Sequence, residues 1–216
     1  MTASSVENDY LSNLDVVETF PFCIYHWPIR WHVERLIRQC QQIQGDLSLL
    51  NVGCGLSQVL KRIDPRHRYV GLDVDERAIE LCRSRFGERQ AQFELSTSYE
   101  LPVEDDGYDV VFATEVVEHV LEPLRWLKEL VRVTVPGGKV QLSTPNYGGW
   151  LLPLIENTFL EWMARRQGFT RKGLHPTPFT KTTLEALLQS AGLVNVQVKK
   201  TPLNLALIGT GEKPKA

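Results

Sequence analysis

Two hydrophobic periods take turns along this chain. From Leu47 to Val52 the residues are almost continuously apolar, which predicts a strand buried on both faces. The run breaks at Gly53-Cys54-Gly55, and a helix-period segment follows from Leu56 to Ile63. A second apolar run, Tyr69 to Leu72, ends on Asp73. Asp75 can cap a helix with the stripe Ala78, Ile79, Cys82 and Phe86, which Gly87 stops. Residues 90–96 predict a third strand with Phe93 and Leu95 on one face, and 108–113 a fourth, buried strand. Pro123 begins a helix with Leu124, Leu127, Leu130 and Val131 inward; Pro136-Gly137-Gly138 ends it, and 139–146 form a fifth strand.

Ahead of this series, Pro28 is expected to start a helix with the stripe Ile29, Val33, Leu36, Ile37, Cys40 and Ile43, ended by Gly45-Asp46. After it, 33 residues separate Asn146 from Thr180, too many for a simple connection. Part of them, 150–166, has the apolar spacing of a helix. Thr182 and Glu185 suit a capping box for a helix with Leu184, Leu187, Leu188 and Ala191 inward, which Gly192 ends. Two final strands are expected near 194–200 and 203–209. The alternation predicts an α/β fold: a doubly wound, mostly parallel sheet of seven strands with an N-terminal helix and an insertion. Residues 1–45 read as an N-terminal segment and capping helix, and 46–216 as the main unit. The insertion at 147–178 is expected to act as a substrate lid, and the whole makes one domain. Ligands in such sheets bind outside the C-terminal strand ends, so Gly53, Asp73, Thr97, Thr114 and Thr144 should meet in one crevice.

Strand, glycine turn, helix, strand, acid is the opening βαβ unit of a nucleotide-binding sheet. Asp73 stands 20 residues after Gly53, where a carboxylate can take both hydroxyls of a ribose. A dinucleotide fingerprint wants a third glycine at 58, which is Gln58. The other common turn wants it at 57, which is Ser57, the smaller departure. A tight turn with no ligand and a nicotinamide oxidoreductase remain alternatives.

Composition narrows the rest. A net charge of −2 gives no electrostatic case for nucleic acid or an anionic membrane. Cys23, Cys40, Cys54 and Cys82 form no CxxC pair, so free thiols in a reducing, cytoplasmic compartment are expected. The polar, acidic start argues against a signal peptide, and no apolar run is long enough to span a membrane.

In order along the chain stand LLNVGCG, YVGLDVDERAIE, ELP, YDVVFATEVVEHV, LKELVRVTVPGGKVQLSTPN, and His175 with FTKTTLEALLQSAG. The series resembles the class I S-adenosylmethionine-dependent methyltransferases over roughly residues 25–209. Its nearest sub-pattern is that of the quinone-biosynthesis O-methyltransferases and their relatives, which share EVVEHV, the Pro-Gly-Gly turn, STPN and the Pro28-Ile29-Arg30 step. The resemblance implies a Rossmann-like fold and S-adenosyl-L-methionine as cofactor. It implies that Gly53 and Gly55 border the methionine part, that Asp73 takes the ribose hydroxyls, and that Asn51, Cys54 and Val74 also belong to the cofactor-binding residues. It further implies Thr97, Ser98 and Tyr99 beside the adenine, Thr114 and Glu115 near the methionine, and Arg30 facing the carboxylate. Two departures stand out: Asn51 and Thr97 occupy positions where the family often has an acid. A non-catalytic cofactor-binding protein of the same fold would show such changes, and is the alternative to an enzyme.

A hydroxyl acceptor must lose its proton near neutral pH. Of the five histidines, His26 and His32 flank an aromatic segment, and His67 sits in a charged turn and reads as solvated. His119 and His175 fall near the C-terminal strand ends, so they are the catalytic candidates, His119 first. Glu115, Glu118 and His119 make an ExxEH cluster of a kind some relatives are thought to use for a divalent ion. Acids at a solvent-facing helix start explain it as well, so no metal ligand is assigned. The aromatic segment and the apolar stretch 150–163 suit a partly apolar small-molecule acceptor.

Overall fold

A computed structural model describes residues 22–96, 99–155, 158 and 176–215. Seven strands form one sheet: β1 (Ser48–Val52), β2 (Arg68–Asp73), β3 (Ala91–Leu95), β4 (Tyr108–Thr114), β5 (Thr134–Pro145), β6 (Val194–Lys200) and β7 (Ala206–Glu212). Their order is β3-β2-β1-β4-β5-β7-β6. The first five run parallel, whereas β7 pairs antiparallel with both β5 and β6, so the sheet is mixed at one end. A short connection from β6 dictates this, because a parallel neighbour would need a crossover of a dozen or more residues. The order reverses between β1 and β4, which opens a crevice at their C-terminal ends.

Helices cover both faces. Helix α1 (Phe22–Gln44) and α2 (Glu76–Phe86) lie on one. There Val33, Ile37, Ile79 and Cys82 pack on Leu49, Tyr69, Val110 and Phe112. On the other face α3 (Pro123–Val133) and a helix at Lys181–Ser190 bring Trp126, Leu127, Leu130, Leu184 and Leu188 onto Leu50, Val111, Val140 and Leu142. These strand residues are continuous apolar runs because both sides of the sheet are covered.

Several local expectations are corrected. Pro28 lies inside α1, whose helix begins six residues earlier; burial of Pro28 and Ile29 overrides the proline penalty. The segment after the glycine turn is a 3-10 helix, Gln58–Arg62, reached through Ser57 in the left-handed region. Leu95 is exposed while Phe93 is buried, at the end of β3, an edge strand. Leu124 and Ile43 also face solvent, and Trp126 and Val133 are buried instead. Helix α3 ends at Val133, and Pro136-Gly137-Gly138 bulges within β5, where the register with β4 shifts. The last helix is capped by Thr180 with Thr183, not Thr182 with Glu185. The final strand starts at Ala206 because the chain makes a 3-10 turn at Pro202–Asn204 first. His67 is buried, with Nδ1 accepting from the Leu47 amide at 3.1 Å. Glu118 is buried too, and so does not face solvent. Of the expected insertion, Leu151–Ile155 is helical, and most of the rest lies outside the described residues.

Candidate cofactor site

The first site is built by backbone. The amides of Gly53 and Cys54 both donate to Leu72 O, at 2.8 and 2.9 Å, which sews the glycine turn to the end of β2. Gly53 has φ +72°, and a Cβ there would lie 2.3 Å from Val116 Cγ2. Only glycine meets both conditions. Gly55 N donates to Asp73 Oδ2 at 2.7 Å, and Asp75 N to Asp73 Oδ1 at 3.0 Å. The carboxylate is therefore aimed by two backbone donors, with further acceptor capacity on each oxygen.

Ser57, where a glycine was expected, adopts φ 48° with help from below. Asn51 Nδ2 donates to Tyr69 Oη at 2.8 Å, and the Tyr69 and Ser57 hydroxyls share a hydrogen bond of 3.0 Å. Burial holds the Tyr69 phenol above its ordinary value, so it stays neutral. Contact with the Cys82 thiol, then burial, pushes the Cys54 thiol up as well. Cys54 is thus a buried wall residue whose thiol is held protonated. Cys82 Sγ donates to Gly55 O at 3.2 Å, a second prop under the turn.

Glu115, just past β4, has φ 58°, a rare conformation for a residue with a Cβ. Its Oε2 accepts from Tyr25 Oη at 2.5 Å and its Oε1 from Ser143 Oγ at 2.7 Å. It ties α1 to β5 across the mouth of the crevice. His26, on the same turn of α1 as Tyr25, has its pKa lowered to about 4, by burial and then by Arg30. It is a neutral imidazole at physiological pH.

These groups surround a cavity of about 750 Å³. Arg30, Asn51, Gly53, Cys54, Gly55, Asp73, Val74, Tyr99, Thr114, Glu115 and His119 all line it. Thr97, Ser98 and His175 lie outside the described residues. Thr144, expected in the crevice, is fully buried and is not among the lining residues. Sequence reading missed Tyr25, His26 and Trp126. Tyr25 meets Glu115 across 90 residues of chain, and no local pattern announces such a pair. Among the described residues no group of three or more His, Cys, Asp and Glu is arranged to hold a metal ion.

The cavity suits a nucleoside-sized ligand in volume. Glycine amides crowd one wall, an aimed carboxylate stands at the end of β2, and apolar side chains such as Leu101, Phe112 and Trp126 complete the lining. S-adenosylmethionine has the matching parts: a ribose diol, a flat apolar base and a charged amino-acid end.

Residues 50–142 match the family model described as a methyltransferase domain. The chain is 35% identical over 111 residues to an uncharacterized methyltransferase of Mycolicibacterium vanbaalenii, covering 51% of this chain and 42% of that protein. It is 26% identical over 183 residues to a demethylmenaquinone methyltransferase of Clavibacter sepedonicus, covering 76% and 72%. A solved S-adenosylmethionine-dependent methyltransferase of Methanosarcina mazei superposes with TM-score 0.65 at 20% identity, covering 84% of this chain and 98% of that one. The chain spans less than half the length of the curated relatives to which it is more than 30% identical. Sheet order, glycine turn and aimed acid agree with the solved neighbours, so the chain has the class I methyltransferase fold, and its residues 50–142 match a methyltransferase domain.

Proposed function

We propose that this chain transfers a methyl group from S-adenosylmethionine to a hydroxyl oxygen of a small, partly apolar molecule. The observation that supports this most is the single cavity in which the aimed Asp73, the clamped Glu115 and the exposed imidazole of His119 all take part. When bound, S-adenosylmethionine supplies an electrophilic sulfonium methyl. Asp73 holds the ribose hydroxyls, and Arg30 offers a two-pronged guanidinium to the carboxylate end. Tyr99 lies beside the adenine. Apolar groups at the cavity floor keep the reacting centre dry, so that proximity and alignment lower the barrier.

His119 ends the 3-10 turn Val117–His119, with its amide donating to Val116 O at 2.9 Å. That turn follows β4 directly, so it roofs the crevice. In this reading His119 accepts the acceptor's hydroxyl proton or orients that hydroxyl. His26, protonated only near about pH 4, has little drive to hold a proton. The relatives' names include a demethylmenaquinone methyltransferase and a malonyl-[acyl-carrier protein] O-methyltransferase, which supports a small or carrier-borne acceptor. The test is turnover of His119→Ala and His119→Gln across pH, with cofactor affinity as control. Loss of ~10²–10⁴-fold in kcat, with the acidic limb removed from the pH profile, is expected of a general base. Near-normal turnover with an unchanged profile would overturn the role and favour transfer to carbon or nitrogen driven by proximity.

A further inference from the structure

A second cleft, of about 280 Å³, opens between α1 and the β5-β7-β6 end of the sheet and shares no lining residue with the cofactor cavity. The helix turns His32, Arg35, Leu36 and Gln39 toward it, positions i, i+3, i+4 and i+7 of one stripe. A helix stripe facing a sheet is ordinarily apolar, and three of these four are not. The sheet beneath is polar as well. Gln141 pairs with Thr210 and Thr210 with Gln197 across three strands, and Lys139 pairs with Glu212. Lys199 stands next to this row on β6.

The charges do not balance. The lining carries three cations, Arg35, Lys139 and Lys199, against one carboxylate, Glu212. That carboxylate already accepts from Lys139 Nζ at 2.6 Å and from Asn195 Nδ2 at 3.4 Å. Arg35 is held at the edge of the cleft by its guanidinium lying 5.2 Å from the centre of the Trp31 ring. His32 feels the excess, since burial and then the charges of Lys199 and Arg35 depress its pKa. On the floor, Gln141 is 3% exposed, and its Nε2 donor has no hydrogen-bond partner among the described residues. A buried donor without an acceptor is costly, and such groups mark places where something else completes the bond.

We propose that this cleft is a second binding site, for the phosphate group of a small molecule, held by Arg35 and Lys199 with the Gln141 amide donating from the floor. Two cations unmatched by lining carboxylates suit a dianion, and a guanidinium fork matches phosphate oxygens in pairs. The volume leaves room for more than the phosphate itself. The site stands independently of the methyl-transfer reading.

The experiment titrates the isotope-labelled full chain with inorganic phosphate, holding ionic strength constant with sodium chloride, and follows amide resonances. Expected are saturable shifts of the Gln141 side-chain amide and of backbone amides over residues 195–199. Arg35→Gln and Lys199→Gln should each weaken binding by about tenfold or more, the scale of one charge-assisted hydrogen bond. Lys200→Gln, one residue away on the opposite face of β6, should leave phosphate affinity unchanged. S-adenosylmethionine affinity should be unchanged in all three. Shifts that are linear, that chloride reproduces, that survive in both Arg35→Gln and Lys199→Gln, or that fall only on cofactor-cavity residues would overturn the proposal.

Discussion

The two clefts flank one helix and are made in opposite ways. The cofactor cavity is shaped by main chain: the Gly53 and Cys54 amides bond to Leu72 O at the end of β2, and the one aimed acid is held by the amides of Gly55 and Asp75. The cleft beside β6 is shaped by side chains of one helix stripe and three strands, and no turn motif takes part in it. A site made from backbone tolerates many side chains, provided the turn keeps its path. A site made from side chains keeps its path easily and is lost with two charges. The difference is one of what carries the information: a conformation in the first case, a juxtaposition in the second.

The hardest blow to the backbone-built site is Gly53→Ala. The positive φ and the 2.3 Å approach to Val116 together should cost about 3 kcal/mol or more of stability, read by denaturant unfolding. Val116→Ala combined with it should recover only the packing part. If Gly53→Ala unfolds like the parent, the turn is less constrained than its geometry indicates and the contrast between the clefts weakens.

Next in size is Asp73→Ala. It removes a carboxylate held by two amides, and S-adenosylmethionine binding should weaken by about 1–3 kcal/mol in isothermal titration. Phosphate binding at the second cleft should not change. An unaltered cofactor affinity in a folded variant would remove the ribose assignment, and a parallel loss of phosphate binding would show that the two clefts are coupled.

The last effect is one of pH. His26 and His67 are both held below the ordinary imidazole value, chiefly by burial. Unfolded histidine protonates near about 6.5, the folded groups at lower pH, so the unfolded chain binds more protons in between. The stability that these two neutral groups contribute is present in full above about pH 6.5 and falls as pH drops toward about 4. For His67, protonation also forfeits the bond its Nδ1 accepts from Leu47 N. Unfolding midpoints across that range should decline, and His26→Gln with His67→Gln should flatten the decline. A slope that persists unchanged in the double variant would assign it to carboxylates instead.

What the amino-acid order by itself determined follows from local physics. Continuous apolar runs at Leu47–Val52 and 108–113 announced strands covered on both faces. A glycine turn between strand and acid announced the cofactor crevice, because Gly53 and Asp73 meet through neighbouring parallel strands in register. Asp75 and Gly192 marked helix ends through short-range geometry. Tertiary structure decided everything that depends on distant packing. It placed Pro28 inside a helix and buried His67. It let Ser57 stand in a glycine's conformation over the Tyr69 phenol and clamped Glu115 between Tyr25 and Ser143. It alone turned the polar stripe of α1 onto a polar sheet face. A hydrophobic period records which side of an element is apolar. It carries no record of which polar groups, far apart in the chain, will be desolvated together, and that is the quantity on which both clefts depend.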